Sequence, residues 1–574
     1  MIRSTLSHRV TASMVILMAV VSPVHLYAQS TAKPAPVVST LRTNASVSGT
    51  IVANGEHVYI VALNRNQYLD VALDSVAQGK PIALRVFAPD STWVGSIFSW
   101  QREAGRPEFN LLAESKGNYR LQITGADTAR YRLQLRSPGN SDAATEAMSL
   151  EAATAWLVRN THKLSHVEAG RGFEDLAPLR SILAGVRVVG LGEATHGSRE
   201  FEQVKHRFLE FLVREMGYTV FGLESSSDAA RSINEFVLSG RGDRASVLAG
   251  QGFWNWDTEE VAATIDWMRD YNRSVPDARK VRFAGFDFQY NPQSRKEITE
   301  YLRRVAPTRV ARTDSILAVL TEPVDTLRRD FVRYYSLKPE AKAPLVAAVN
   351  ELRGFLELNR VQFSRQTSAS DFEAIVHSVN LLQQLVDTHS RAGYAVDTAG
   401  TGVTTRDRYM AENILELLRV LPADTKIVLS AHNAHVRSDL NLYTMGHYLR
   451  EELGNAYYAF GLSFERGSFR ALNLAQTPYK VGALTVGPSF PQSIDWYLKR
   501  AGKGDLFVDF RAAPSSGPAA SWLKRPHRMR SIGGGHPPND PGYYGYPVVP
   551  GKSFDGLIFV QNTTPTRLNP TVTR

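Results

Sequence analysis

Val186-Arg-Val-Val-Gly-Leu-Gly-Glu-Ala-Thr-His-Gly197 is the stretch whose reading decides the fold. Its first half is a short, β-branched apolar run of strand length, and its second half turns abruptly small and polar. Phe201, Val204, Phe208, Phe211 and Leu212 follow at helical spacing, and Gly217 stops that helix before Thr219-Val-Phe-Gly-Leu223 returns to strand. Strand, helix and strand in this order make a βαβ unit, whose two strands lie parallel. Working outward, Val281–Phe286, Lys426–Ser430, Tyr457–Gly461 and Gly556–Val560 are further short apolar runs with helical segments between them. The predicted class is α/β, a mostly parallel sheet flanked by helices, over about 145–574. Residues from about 296 to 420 contain no convincing strand, and amphipathic stretches such as Asp371-Phe-Glu-Ala-Ile-Val-His-Ser-Val-Asn-Leu-Leu predict a helical insertion able to roof a cleft.

Upstream the period changes to two. Val58, Ile60 and Ala62, then Leu69, Val71 and Leu73, then Leu84 and Val86, and finally Tyr119 to Ile123 and Tyr131 to Leu135 alternate with polar residues. Asn54-Gly55 and Gly117-Asn118 read as turns, so a small all-β sandwich is expected over 40–137. Its closing phrases, Gly117-Asn-Tyr-Arg-Leu-Gln-Ile123 and Tyr131-Arg-Leu-Gln-Leu135, resemble the bacterial pre-peptidase C-terminal domain, which implies an accessory role. Ser137-Pro-Gly-Asn-Ser-Asp142 reads as a linker. At the start, Arg3 and Arg9 precede the apolar Val15–Val21 and small residues near Ala28, the pattern of a signal peptide over 1–28. The expected location is periplasmic or secreted, with no membrane span after signal removal.

Composition narrows the chemistry. The 574 residues are 43% hydrophobic and include no Cys, which excludes thiol nucleophiles, iron–sulfur clusters and zinc–thiolate sites. Sixty-six Lys and Arg against 56 Asp and Glu leave a net charge of +10, but the basic residues are scattered. The one local cluster, Lys524–Arg530, reads as a solvated loop, and no nucleic-acid signature accompanies it.

The polar residues fall where the strands end. Glu193 and His196 follow the first strand, Glu224 and Ser225 the second, Asp287 the third, and His432 and His435 the fourth. Open α/β sheets bind ligands at the carboxyl ends of their strands, so these segments are expected to converge on one crevice. Each residue alone has a plain structural reading, as ion-pair partner, core histidine or helix cap. Four such endings in one sheet point to chemistry instead.

Several motifs together resemble the erythromycin esterase family: Val188–Gly197, Phe221-Gly-Leu-Glu224, Phe253-Trp-Asn-Trp-Asp-Thr-Glu-Glu260, Gly285-Phe-Asp287, Arg406-Asp-Arg-Tyr-Met-Ala-Glu-Asn413 and Ser430-Ala-His-Asn-Ala-His435. The likeness runs from about 165 to 560 in the family's order. It implies an α/β enzyme with a helical insertion that hydrolyses the lactone ester of macrolides with a histidine-activated water and no metal or other cofactor. It further implies Glu193, His196, Glu224 and His432 as the catalytic set, and brings Arg406 to the site.

The chemistry of ester hydrolysis agrees with that set. His196 is the best base, because its unperturbed pKa keeps imidazole largely neutral near pH 7, and a carboxylate on its far nitrogen would fix the tautomer. Glu193 and Glu224 both qualify for that duty. His432 is assigned to polarising the carbonyl or holding the water. Trp254, Trp256, Asp287, Arg406 and His435 are expected on the substrate; the two Trp rings are either core or, on an extended lead-in, split so that one lines the cleft. A serine mechanism through Ser198 or Ser225 lacks the Gly-x-Ser-x-Gly elbow, and Ser198 reads as a helix N-cap. Asp257 and Glu260 read as a capping box, Lys205 and His206 as solvated surface, and Gly533-Gly-Gly-His536 as a flexible loop. The partner is a small-molecule ester or lactone. Two other readings remain: a metal-dependent hydrolase using the same His and Glu residues, and a non-catalytic periplasmic binding protein.

Overall fold

The computed structural model describes residues 36–570, apart from 66, 76–81, 92, 99–107, 114, 126, 138–150, 324–331, 391–404, 440–442, 478, 491 and 537–546. The expected signal peptide, and the expected linker after Ser137, lie outside the described residues.

Among the described residues, the larger part of the chain is a mixed α/β structure built on a ten-stranded sheet. From one edge its order is Thr161–Lys163, Leu506–Asp509, Gly556–Thr563, Tyr457–Asn473, Val188–Leu191, Ile427–Ser430, Val220–Ser226 and Arg282–Asp287. Lys480–Val486 and Gly535–His536 pair with the long Tyr457–Asn473 strand off this path. The strands from Gly556–Thr563 to Arg282–Asp287 pair in parallel. Leu506–Asp509, Thr161–Lys163 and Lys480–Val486 run antiparallel to their neighbours.

The central strands read as unbroken apolar runs because both faces are covered. Val189, Val428, Tyr458 and Phe460 feed one core cluster, and Val188, Ile427, Leu429, Tyr457 and Ala459 feed the other. Helix Arg199–Met216 lies on the first face and buries Phe201, Val204, Phe208, Leu209, Phe211 and Leu212. Each such side chain contributes about 1.5–3 kcal/mol of apolar burial. Gly217, at φ 71°, caps that helix through its N–H to the Leu212 carbonyl.

The helical region comprises Ser294–Val305, Val310–Thr321, Pro339–Leu358, Arg360–Gln366, Ala369–Ser390 and Thr405–Val420. Its own core includes Phe288, Ile298, Leu302, Val349, Phe372, Val379 and Leu382. The last helix differs from the rest. Met410, Ala411 and Ile414 pack into the sheet's second cluster, so Thr405–Val420 belongs to the layer beneath the sheet and delivers its first turn to the strand ends. No described helix is long and apolar enough to cross a membrane.

The N-terminal strands form a five-stranded and a four-stranded sheet. Both contribute to one apolar cluster that includes Leu69, Val71, Leu73, Leu84, Val86, Leu121, Ile123, Tyr131 and Leu133.

Candidate active site

Register, more than any single contact, assembles the site. Leu191 pairs with Ser430, Ser430 with Leu223, and Leu223 with Gly285, so the ends of four parallel strands stand in one row. Glu193, His432, Glu224 and Asp287 each follow that row by one or two residues. Close backbone approach makes glycine necessary here: a Cβ on Gly192 would fall 2.1 Å from Asn433 Oδ1, and one on Gly197 would fall 2.0 Å from the Arg470 carbonyl oxygen. Asn433 in turn donates its backbone N–H to the Glu193 carbonyl (2.9 Å) and pins the His432 turn to Leu462 through both side-chain atoms.

His196 Nδ1 meets Glu193 Oε1 at 2.5 Å. Glu193 is fully buried, and the Lys205 ammonium donates to its other oxygen and to Glu202 Oε1 (2.9 Å). Burial opposes charge on Glu193, yet the ammonium and then His196 hold its carboxyl below the usual range. Burial instead raises the Glu202 carboxyl, which shares the same cation. The His196 ring keeps 16% exposure, and with Nδ1 held by a carboxylate its Nε2 is the nitrogen left to accept a proton.

His432 is arranged in the opposite sense. Its Nδ1 accepts the Ala434 backbone N–H at 3.2 Å, so the neutral ring carries its proton on Nε2. That Nε2 is buried without a hydrogen-bond partner among the described residues. Burial, then the neighbouring His196 and His435 rings, push its pKa down to about 3. The His196 and His432 ring centroids lie 5.4 Å apart. One imidazole can therefore accept a proton beside another whose Nε2–H is placed to donate a hydrogen bond.

Glu224 does not serve His196. Its Oε2 accepts the His432 backbone N–H (2.8 Å), and its Oε1 accepts from Arg406 Nη2 (2.8 Å). Arg406 also grips Asp287, through Nε at 3.2 Å and Nη2 at 2.7 Å. His435 Nδ1 meets Asp407 Oδ1 at 2.8 Å, and its Nε2 lies 3.3 Å from Glu224 Oε1. Burial disfavours charge on His435, but Asp407 and Glu224 outweigh it and push the ring up to about 10. Arg406 Nη1, which can only donate, lies 3.2 Å from the same His435 Nε2, so that nitrogen has both a guanidinium and the Glu224 carboxylate beside it. Burial likewise opposes charge on Glu224, while His435 and Arg406 hold its carboxyl well below the ordinary value.

The structure thus brings His196, Glu193, His432 and Glu224 together and divides the two glutamates between two duties. Asp287, Arg406 and His435, expected on the substrate, face one another in a buried ion network. Trp256 is buried but packs edge-on to His196 at 5.6 Å, so core and site coincide; Trp254 is half-buried on a turn, not an extended strand. The Ser198 and Ser225 hydroxyls are buried and have no hydrogen-bond partner among the described residues, and Ser198 occupies the N-cap position without making the cap bond. Glu193 and Glu224 spend their oxygens on Lys205, His196, Arg406 and a backbone amide, so a metal ion would compete with an ammonium and a guanidinium already in place. Among the described residues no group of three or more His, Asp or Glu side chains is placed to hold a metal ion.

Four expectations change. Lys205, read as surface, is 2% exposed and neutralises Glu193. It lies four residues after Phe201 and three before Phe208, on the buried face of its helix, and that spacing was the available signal. The helix at Glu259 is capped by Thr258, whose hydroxyl accepts the Val261 N–H, while Asp257 instead accepts from Asn569 Nδ2 (2.7 Å). Arg530, in the supposed solvated basic loop, is buried and donates to the Glu465 and Gly487 carbonyls. The Gly533–His536 segment is anchored in the sheet, beside the two histidines.

Known proteins share this architecture. The sequence model of a family described as Erythromycin esterase matches residues 213–563, a span that contains Glu224, Asp287, Arg406, His432 and His435 and begins after His196. The chain is 25% identical over 370 residues to erythromycin esterase type II of Escherichia coli, across 61% of this chain and 87% of that one. It is 24% identical over 435 residues to the putative hydrolase YbfO of Bacillus subtilis strain 168, across 71% and 91%. The solved structure of an EreC erythromycin esterase mutant in its open conformation aligns with a TM-score of 0.54 at 18% identity, over 71% of this chain and 98% of that one, a likeness of fold.

Proposed function

The chain belongs to the erythromycin esterase family, and from that premise we propose that it is an exported hydrolase of carboxylic esters or lactones, macrolide lactones among them, that attacks the carbonyl with a water activated by His196. Water gives its proton to His196 Nε2 as its oxygen bonds to the carbonyl carbon. Glu193 on Nδ1 stabilises the imidazolium that forms. The developing oxyanion takes a hydrogen bond from His432 Nε2, a donor in a dry environment where such bonds count most. Collapse breaks the bond to the leaving oxygen, which recovers the proton from His196 and departs as the alcohol. Glu224, Arg406, Asp287 and His435 act as positioning residues, holding the His432 turn through its backbone. Trp256 keeps the His196 ring in place from one edge.

The observation that carries this reading is the pair of imidazoles with opposite hydrogen-bonding sense, His196 backed by a carboxylate and His432 backed by a backbone amide. Export rests on the signal-like residues 1–28, with 40–137 as an accessory domain and 145–574 as the catalytic one; the location that follows is periplasmic or secreted. The test is mass spectrometry of macrolides, simple lactones and aryl esters incubated with the mature protein, with and without chelator and beside His196→Ala. Gain of one water, insensitive to chelator and slowed roughly 10²–10⁴-fold in the variant, is expected. Ligand-induced stabilisation with no turnover of any ester would replace this reading with the binding protein, and loss of activity on chelation alone would replace it with the metal enzyme.

A further inference from the structure

Ser531-Ile-Gly-Gly-Gly-His536 crosses the site from a distant part of the sequence. The Ile532 and Gly533 amides both donate to the Ala194 carbonyl (2.5 and 3.1 Å), and the His196 amide donates to the Gly533 carbonyl (3.3 Å). On the other side the Leu472 amide donates to the Gly534 carbonyl (2.8 Å), and Gly535–His536 pairs in parallel with Leu472–Asn473. The segment is therefore stitched between the motif that carries His196 and the long strand beside it. Gly533 is held by its backbone conformation, and Gly534 by a neighbour close enough to crowd a side chain. A Cβ on Gly534 would lie 3.3 Å from His196 Cδ2, and one on Gly533, at φ +67°, would lie 3.8 Å from His432 Nε2. Ile532, Gly533, Gly535 and His536 are buried, whereas Gly534 is partly exposed, as is the His196 ring.

We propose that the Gly533–Gly534 peptide is the substrate-positioning wall of the reaction centre, and that Gly534 sets how much bulk an ester carries next to its carbonyl. The inference rests on the esterase reading above. A carbonyl poised between His196 Nε2 and His432 Nε2 stands against this peptide, and the missing side chain is the room its substituent occupies. The backbone ties on both sides keep the wall from retreating, so a methyl group at 534 takes space from the His196 ring or from the substrate.

The experiment compares p-nitrophenyl acetate with p-nitrophenyl isobutyrate, which share a leaving group and differ by branching beside the carbonyl. The readout is the ratio of their kcat/KM values within one preparation, which cancels any loss of folded enzyme. Gly534→Ala is expected to lower the isobutyrate-to-acetate ratio about tenfold or more, the scale of one misplaced methyl in a binding pocket. Gly535→Ala, whose Cβ would meet the Leu474 side chain instead, is expected to keep the wild-type ratio. A Gly534→Ala ratio within about twofold of wild type, or an equal fall in Gly535→Ala, overturns the wall. A wild-type protein that hydrolyses neither ester nor any macrolactone overturns the esterase reading, and this inference with it.

Discussion

Two clusters of the same residue types sit side by side at the ends of the parallel strands, and they treat histidine in opposite ways. In one, Glu193, Lys205 and Glu202 back a single nitrogen of His196 and leave the other nitrogen and part of the ring open. In the other, Asp407 sits on one nitrogen of His435, Glu224 and Arg406 sit beside the second, and Arg406 also pairs with Asp287. Between them His432, with its ring centroid 6.5 Å from that of His435, has no side-chain hydrogen bond to a carboxylate among the described residues, and burial lowers its pKa while that of His435 is raised. The lesson is that burial alone assigns no role. A buried carboxylate on one nitrogen leaves the other free to accept a proton, two carboxylates favour the charged ring, and a backbone amide on Nδ1 leaves the neutral ring to donate from Nε2.

The sharpest way to break this comparison is to disable the first cluster without emptying it. Glu193→Gln keeps the shape but removes the charge that stabilises imidazolium and offers an amide where the ring needs an acceptor. Ester turnover is expected to fall on the order of 10²–10⁴-fold while KM stays close to wild type. Activity within tenfold of wild type would mean that His196 is not held by Glu193 during the reaction.

The second cluster should respond in stability before chemistry. Arg406→Met leaves Glu224 and Asp287 buried without their shared guanidinium, and breaking such a pair costs about 3–5 kcal/mol. Chemical denaturation reads that loss directly. A variant as stable as wild type but slow would move Arg406 from the positioning network to the substrate.

His435 provides a subtler distinction through pH. Its folded pKa, raised to about 10, lies above the ordinary imidazole value near 6.5. The stability it contributes is therefore complete below about pH 6.5 and is lost as pH rises through about 10, with a slope of at most about 1.4 kcal/mol per pH unit for one proton. Melting of wild type should fall more between pH 7 and 10 than melting of His435→Gln. Parallel curves would show that His435 is neutral in the folded protein, and the two clusters would then lose their main contrast.

How far these clusters were legible beforehand follows from what local sequence encodes. The apolar runs Val186–Leu191, Thr219–Leu223, Val281–Phe286, Lys426–Ser430, Tyr457–Gly461 and Gly556–Val560 were legible as strands because two covered faces demand such runs, whereas the continuation of the fifth to Asn473, partly exposed beyond Glu465, was not. In Leu506–Asp509 only Leu506-Phe-Val508 is apolar, a run of three between Asp505 and Asp509, and Lys480–Val486 is partly exposed and mixed in character, so neither was legible. Within the site, the residues at strand ends were visible as chemistry out of place. Their partnerships were not, since Glu224 meets Arg406 across 182 positions and Lys205 meets Glu193 across twelve. A charged residue on a helix defaults to solvent unless its face is traced, and a run of glycines reads as slack unless the strand that pairs with it is known.

The mildest perturbation lies outside both clusters and shows where the first one ends. Thr258 caps the Glu259–Arg273 helix through the Val261 N–H (3.2 Å), two residues beyond the Trp256 ring that packs on His196. Thr258→Ala removes one cap, worth about 1 kcal/mol of stability. Trp256 is also held by the Phe253 carbonyl, which accepts its backbone N–H at 3.2 Å, and by the core cluster around it, so its ring should stay in place. The expected result is a small drop in melting temperature with unchanged kcat. If kcat falls with the cap, the support of His196 reaches through Trp256 into the helix behind it. The poised histidine would then depend on packing as well as on Glu193, and the contrast with the clamped one would be mechanical as much as electrostatic.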